Sequence, residues 1–385
     1  MRLSVVIPCL NEATTIGEVI KEAAAGIAAC RDHLQWTEII VCDNGSVDGS
    51  RDIAARSGAR VVACPIRGYG AALHWGFAHA RGDFVLFADA DMSYDFTLLP
   101  RFAHAMRDHP ADLVLGSRLR GEILPNAMPL LNRRLGTPLL NLAIWLCFGL
   151  RTSDCNSGMR LVRRAFYREL HMRCSGMEWA SELLIKTAIR KGRYAEVPIR
   201  LRPDRRGRPP HMRRWRDGWR HLKSIVMLAP NITVLAPCAG LAVCAIILAP
   251  FHINAALAAI WCAYAGLLVG IGIKLILHID TVRPSRTIAA LLRLRTAELG
   301  LLVALAMFVT GIYLLGRNRL TPEKAILGPF LLSGSGITTL GVMFWETVRT
   351  HLVSRLSGAW DAVDRHAADT APASERQADV GRIVD

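Results

Sequence analysis

The chain has 385 residues, enough for one large domain and a second unit. Apolar residues make up 52% of it and the mean hydropathy is +0.27, yet the formal charge is +15. That combination sits poorly with an ordinary soluble protein and fits a membrane protein with a basic cytoplasmic face; the charge has no nucleic-acid explanation, because no zinc-finger spacing, RNA-recognition signature or basic-zipper heptad appears.

The N-terminus reads MRLSVVIPCLNE, an apolar run too short for a signal peptide, so the chemistry is expected to face the cytosol. Residues 3–7 are a β-rich strand that Pro8 should end, and Asn11-Glu12 open a helix running to residue 29. A second strand, 38–42, leads into DNGSVDGS (residues 43–50), a tight turn feeding a helix over 51–57. Residues 60–63 form a third strand, followed by Arg67-Gly68-Tyr69-Gly70 and a helix over 71–80. The ten cysteines form no CxxC; most lie in apolar runs and read as small buried residues of a reducing compartment.

Residues 84–88 are the fourth strand, and LFADADMSYD breaks abruptly at Asp89-Ala90-Asp91. Positions i and i+2 share one face of an extended segment, so Asp89 and Asp91 address one site, with Ser93 as a third oxygen. Hard oxygen ligands that leave positions open suit Mg²⁺ or Mn²⁺ shared with a diphosphate. A fifth strand, 113–115, ends in Gly116-Ser117-Arg118. Strands alternating with helices predict an α/β fold with a mostly parallel sheet covered on both faces. Asn11, Glu12, Asp43, Arg67, Asp89, Asp91 and Arg118 all follow strands, where such sheets bind ligands.

The stretch LLNRRLGTPLLNLAIWLCFGL (residues 130–150) has too short an unbroken apolar part to cross a bilayer; with Arg133 and Arg134 it reads as an interfacial helix. Glu178 and Glu182 are four apart, on one helical face. A late strand, 195–201, precedes RPDRRGRPPHMRRWRDGWRHLK, which packs eight arginines, a lysine and two tryptophans into 22 residues. Trp215, Trp219, Leu222 and Val226 line one side of an amphipathic helix at the doorstep of a membrane. Residues 232–251, 255–277, 299–315 and 325–345 are four apolar spans of membrane-crossing length. Arg283, Arg286, Arg293 and Arg295 mark the second connection as cytoplasmic. The tail is polar and expected to be partly disordered.

The series VVIPCLNEATTIGEVI, IIVCDNGSVDGS, RGYGAAL, FADADMSYD and GSR, continuing through SDCNSGMR, resembles the family two glycosyltransferases, most of all the dolichyl- or polyprenyl-phosphate sugar transferases. The resemblance covers about the first 230 residues and implies a glycosyltransferase A fold. By matched position it implies that Pro8, Asn11, Glu12, Asp43, Arg67, Gly68 and Asp89 surround the nucleotide. It implies metal held by Asp91 with Asp89 and Ser93, where many relatives of this type carry glutamine in place of Ser93. Arg118, Arg133 and Arg134, with Arg205 and Arg206 on a closing loop, would hold the acceptor phosphate. Asp91, Arg118 and an acid in the helix, Glu182, would carry catalysis.

The expected organisation is a cytosolic catalytic domain (1–210), an amphipathic juxtamembrane helix (211–228), a four-helix transmembrane domain (229–348) and a cytosolic tail (349–385). The expected partners are a nucleotide-diphosphate sugar, polyprenyl phosphate and the cell (inner) membrane, with no nucleic acid; a homo-oligomer is left open. The expected reaction is inverting transfer that yields a polyprenyl-phospho-sugar. Two other readings compete. A processive polysaccharide synthase would carry QxxRW, where this chain has His211-Met212-Arg213-Arg214-Trp215. A non-catalytic membrane scaffold would not need the intact acidic pair.

Overall fold

The computed structural model describes residues 1–108, 110–207 and 236–248, with isolated positions among residues 218–232 and at 262, 263 and 339. The chain divides into two units, Met1–Ile225 with Gly358–Asp385, and Val226–Ser357.

Among the described residues of the first unit, seven strands form one sheet in the order β3-β2-β1-β4-β6-β5-β7. They are β1 Arg2–Cys9, β2 Trp36–Asp43, β3 Arg60–Ala63, β4 Phe84–Phe87, β5 Leu113–Ile123, β6 Arg160–Arg163 and β7 Tyr194–Leu201. All run parallel except β6, which is antiparallel to both β4 and β5. This short strand escaped the sequence reading, since four residues flanked by arginines carry no period. Pro8 lies inside β1, level with Cys42, rather than ending the strand.

The helices are α1 Ile16–Ala28, α2 Ser50–Arg56, α3 Tyr69–His79, α4 Leu99–Asp108, α5 Thr137–Phe148, α6 Arg164–Glu169 and α7 Trp179–Ile189. α1 starts at Ile16, not at Asn11, because Asn11 adopts a left-handed φ of 55° that no helix accommodates. Alternation in β1 divides the core. Leu3, Val5 and Ile7 join Ile16, Val19, Ile20 and Phe102 under α1 and α4. Val6 faces α3, which approaches so closely that a Cβ on Gly76 would stand 2.4 Å from Val6 Cγ1 and 2.8 Å from Cys42 Sγ. On that side Phe77 stacks on Tyr167 (3.8 Å), and Phe87 meets Trp179 edge-on (5.2 Å). A sheet buried on both faces leaves its strand ends as the place where polar groups can gather.

β5 is longer than the sequence suggested and carries a bulge. Ser117 pairs with Pro198 and Glu122 with Arg200, so residues 118–121 lie opposite Ile199 alone. Pro198 has no N–H to give the ladder, which lets the strand buckle there. Gly121 is required in the bulge, since a Cβ would stand 1.9 Å from Ile199 O. Bulges re-aim side chains, and the residue re-aimed first is Arg118.

A helix is present where the sequence led one to expect it. Asn132–Gly136 form a π-helical turn, and α5 runs on to Phe148, stopped by Gly149 in the left-handed region (φ 70°). Only Thr137 and Ile144 of α5 are buried. Leu131, Leu135, Leu139, Leu142 and Leu146 are exposed at helical spacing, with Leu130 and Trp145 beside them. Trp219 and Leu222, expected on the juxtamembrane apolar side, are exposed, while His221 is buried against Ser181 of α7 (2.7 Å).

In the second unit the described residues include one helix, Ala236–Leu248, inside the first expected span. No helix among the described residues is long and apolar enough to cross a membrane. Apart from residues 262, 263 and 339, the other three expected spans, the tail and most of the juxtamembrane helix lie outside the described residues.

Candidate active site

The loops after β1 and β2 are stitched together. Asn11 N donates to Ser46 Oγ (2.8 Å), Val47 N donates to Asn11 Oδ1 (2.8 Å), and Glu12 N donates to Ser50 Oγ (2.8 Å). Asp43 is buried at the tip of β2, accepts from the backbone N–H of Gly45 and Ser46 (both 3.1 Å) and pairs with Arg51 (2.8 Å). Asn44 ties this turn to the next one: its Nδ2 donates to Ile66 O and its Oδ1 accepts from Gly68 N, both at 2.7 Å. Gly68, at φ 142°, is pressed against the loop before α7, where a Cβ would stand 2.2 Å from Ser175 O. Arg67 beside it is exposed.

Beyond β4 the chain delivers the acidic pair. Met92 takes a left-handed φ of 67°, uncommon for a side-chain-bearing residue. That turn folds Ser93 back, so its N–H (2.9 Å) and Oγ (2.5 Å) both donate to Asp91 Oδ1. Asp89 Oδ1 accepts from Tyr69 Oη at 2.8 Å. Burial and the adjacent Asp91 push the Asp89 carboxyl up to about 6. The charges of Arg206 and Arg118 act on Asp89 in the opposite sense.

Arg118, thrown out by the bulge, is caught by Asp154. Its backbone N (2.9 Å) and Nε (2.7 Å) donate to Asp154 Oδ2, and Nη2 donates to Oδ1 (2.7 Å). Burial alone would lower the Arg118 pKa; Tyr94 and Asp154 outweigh it and hold the guanidinium above the usual arginine range. Asp154 is fully buried and was not singled out from the sequence, although it lies in the quoted SDCNSGMR; 36 residues separate it from its partner.

Arg205 and Arg206 sit on the strap after β7. Arg202 N donates to Ser93 O (2.9 Å), and Arg205 N donates to Asp91 O (3.0 Å). The Arg206 guanidinium bonds Asp91 Oδ2, with Nη1 3.6 Å from Glu12 Oε1. The strap is rooted by Arg202, which holds Glu22 with both terminal nitrogens (2.9 and 2.7 Å). Thus Arg206 reaches the acidic pair directly. Arg133 and Arg134 are exposed on the π-helical turn before α5. Glu182 is buried in α7, where its two oxygens accept from Arg173 N and Cys174 N (both 2.8 Å) and it pairs with Lys186 (2.7 Å). Burial would raise its pKa, but Lys186 and the two N–H groups hold it below the usual carboxylate range. In this arrangement Glu182 fixes the loop that presses on Gly68.

Carboxylate and hydroxyl oxygens without sulfur or imidazole suit Mg²⁺ or Mn²⁺. Asp91 already carries a cation in the form of the Arg206 guanidinium, so the seat tolerates positive charge. Among the described residues no group of three or more His, Cys, Asp or Glu gathers to hold a metal. A pair of carboxylates fits an ion shared with substrate phosphates.

The family description "Glycosyl transferase family 2" matches residues 4–171. The chain is 32% identical over 206 residues to the dolichyl-phosphate hexose transferase of Haloferax volcanii, covering 52% of this chain and 82% of that protein. The chain belongs to glycosyl transferase family 2. To the low-salt glycan biosynthesis hexosyltransferase Agl6 of the same organism, this family 2 chain is 37% identical over 241 residues, 63% of its own length but only 57% of the relative's. Among solved structures it is similar to glucosyl-3-phosphoglycerate synthase of Mycobacterium tuberculosis in complex with Mn²⁺, uridine diphosphate and glucosyl-3-phosphoglycerate. The TM-score is 0.45 at 26% identity, over 59% of this chain and 80% of that one. As a family 2 member the chain is a glycosyltransferase, and its mixed-sheet α/β fold is of the glycosyltransferase A type.

Proposed function

We propose that this glycosyltransferase moves a sugar from a nucleotide-diphosphate sugar to polyprenyl phosphate, with inversion, at the cytosolic face of the cell membrane. The observation that carries the reading is the pair Asp89 and Asp91 at the end of β4, with Asp91 held by the Arg206 guanidinium of the strap and Arg118 fixed on Asp154 after β5. The acids suit a cation on the donor's diphosphate; the arginine suits an anionic acceptor, its planar fork matching phosphate oxygens. The loops of Asn11, Asp43 and Asn44 would seat the nucleoside, with Pro8, Glu12, Arg67 and Gly68 around them. Asp91 and Asp89, with Ser93 bonded to Asp91, would hold Mg²⁺ or Mn²⁺, which when bound stabilises charge on the departing diphosphate.

An acceptor phosphate needs little help to become a nucleophile. Its second pKa is about 6, so its oxygen is already anionic near neutrality and no general base is required. What the chain must supply is position and charge neutralisation. Arg118 would align the phosphate, and Arg133, Arg134 and Arg205 would guide the headgroup from the surface. Arg206 would pass from Asp91 to a phosphate oxygen as substrates enter.

The membrane reading is supported by the exposed leucine stripe of α5 and by the sequence around it. No acidic residue lies between Glu122 and Asp154, while Arg133, Arg134 and Arg151 do. An apolar face with basic flanks suits a bilayer interface with anionic lipid. Residues 1–210 would be the catalytic domain, 211–228 the juxtamembrane helix and 229–348 the anchoring spans, with 349–385 returned to the cytosol. The activity named for one relative, a dolichyl-phosphate hexose transferase, supports this acceptor class.

The test is reconstitution of the full chain in vesicles with undecaprenyl phosphate, Mg²⁺ or Mn²⁺ and a panel of nucleotide sugars. A lipid carrying one sugar is the expected product. No lipid-linked sugar with any donor would sink the reading, and a polymer would favour the processive synthase.

A further inference from the structure

We infer that Glu196, on β7, is a positioning residue that sets the aim of Arg118 on the acceptor phosphate. The inference rests on the proposed acceptor class and assigns a role to a residue outside the crevice motifs.

The argument starts from the bulge. Because residues 118–121 leave the β5–β7 ladder, the sheet does not fix the direction of Arg118. Direction comes instead from Asp154, which accepts from the backbone N and from two guanidinium nitrogens of Arg118. Asp154 itself belongs to no helix or strand; it lies in the connection between α5 and β6. The aim of the arginine is therefore only as good as the fixation of residues 152–155.

Glu196 supplies that fixation. Its side chain is 7% exposed. Oε1 accepts from Thr152 Oγ1 (3.0 Å), Ser153 N (2.8 Å) and Tyr194 Oη (2.5 Å). Oε2 accepts from Ser153 Oγ (2.6 Å) and, at the surface, from Arg120 (3.3 Å). Ser153 Oγ also meets Ser117 Oγ at 2.6 Å, so the clamp spans the residue before Arg118 and the residue before Asp154. The far side of the same loop is held by Asn141 of α5, which donates to Ser153 O (2.7 Å) and accepts from Cys155 N (3.0 Å). An ionised carboxylate is an acceptor only, which matches this ring of donors; an amide at the same place would turn a donor toward a donor. These hydrogen bonds run to Thr152, Ser153, Tyr194 and Arg120, and none of these residues is in the acidic pair or placed around the nucleotide, so the influence of Glu196 should be confined to the acceptor side.

The test uses the full chain in detergent and reads binding of farnesyl phosphate, with farnesol as the control lacking the phosphate. Glu196→Gln is expected to weaken farnesyl phosphate about 10-fold, or about 1.4 kcal/mol, with farnesol and uridine diphosphate affinity unchanged. Ser153→Ala, a milder change, should weaken it in the same direction by less. The deciding comparison is a cycle with Arg118→Ala: if Glu196 acts through Arg118, adding Glu196→Gln to Arg118→Ala produces no further loss. Equal losses for farnesyl phosphate and farnesol, unchanged farnesyl phosphate binding in both single variants, or additive losses in the cycle would each overturn the inference. If the parent chain shows no preference for farnesyl phosphate over farnesol, the acceptor reading itself falls and this inference with it.

Discussion

The Arg206 guanidinium bonds Asp91, the acid expected to bear the metal, and its second terminal nitrogen stands 3.6 Å from Glu12. Burial would lower the Arg206 pKa, but Asp91 and Glu12 outweigh it and the group remains a cation. A guanidinium and a metal ion compete for the same carboxylate lone pairs. Arg206→Gln is therefore expected to bind Mn²⁺ alone, without nucleotide, about 10-fold more tightly than the parent chain, or about 1.4 kcal/mol. Spin-resonance titration of free Mn²⁺ measures this directly. Equal or weaker Mn²⁺ binding by the variant would show that Arg206 does not guard the seat.

The close passage of α3 over the sheet makes a prediction about stability. Gly76 stands where any Cβ would press on Val6 and Cys42, neither able to retreat from a buried strand. Gly76→Ala should destabilise the catalytic unit by about 1–3 kcal/mol, as overpacking does. Its kinetic constants should stay near those of the parent chain below the melting transition. Thermal unfolding followed by circular dichroism reads the first part; no loss of stability would mean that the helix and sheet separate more easily than this packing implies.

Much of the catalytic unit could be read from the residues, and the gaps have physical causes. Buried strands such as β1 and β4 announce themselves as apolar runs, and the polar residues after them mark the ligand edge. The acidic pair is legible because Asp89 and Asp91 interrupt such a run. β6 was missed because its four residues are too few to show a period, and it runs against its neighbours. Asp154 and Glu196 were missed for another reason: each acts on a partner tens of residues away, across a bulge that no local pattern foretells. Glu182 illustrates the converse. Its spacing from Glu178 suggests one helical face, but Glu178 is only the N-cap residue of α7, while Glu182 in the first turn is buried and grips two loop N–H groups.

Asp112 offers a pH prediction outside the crevice. It is buried just before β5, where Oδ1 accepts from Arg163 Nε (2.9 Å) and Nη2 (2.7 Å), and Oδ2 accepts from Arg193 N (2.8 Å). Burial raises its pKa, but the Arg193 N–H and Arg163 outweigh that and hold it below the usual aspartate range. The folded chain thus binds this proton less readily than the unfolded chain. The stability this contributes is fully present above the unfolded pKa of about 3.9 and is lost as pH falls through the lower folded value. Asp112→Asn should lower the melting temperature at pH 7 and narrow its gap from the parent chain as the pH drops below about 4. A gap that stays constant with pH would show that the carboxylate charge contributes nothing there.

The last prediction concerns α5. Its inner side holds the Arg118 loop through Asn141, and its outer side shows Leu135, Leu139, Leu142 and Leu146 to solvent. Each exposed leucine that enters a bilayer interface gains on the order of 1 kcal/mol or more, in proportion to the apolar area removed from water. Replacing Leu139 and Leu142 together by Ser should leave the fold intact, since neither side chain is part of the buried core. Transfer to undecaprenyl phosphate embedded in anionic vesicles should fall severalfold, while transfer to short, water-dispersed farnesyl phosphate should not change. The two acceptors separate docking from chemistry: loss with both would mean that the substitution damages the Arg118 loop through Asn141. Full activity on vesicles would mean that the leucine stripe does not meet the membrane. Raising the salt concentration should weaken the vesicle reaction as well, because Arg133, Arg134 and Arg151 act on anionic headgroups over no more than a Debye length, about 8 Å at physiological ionic strength.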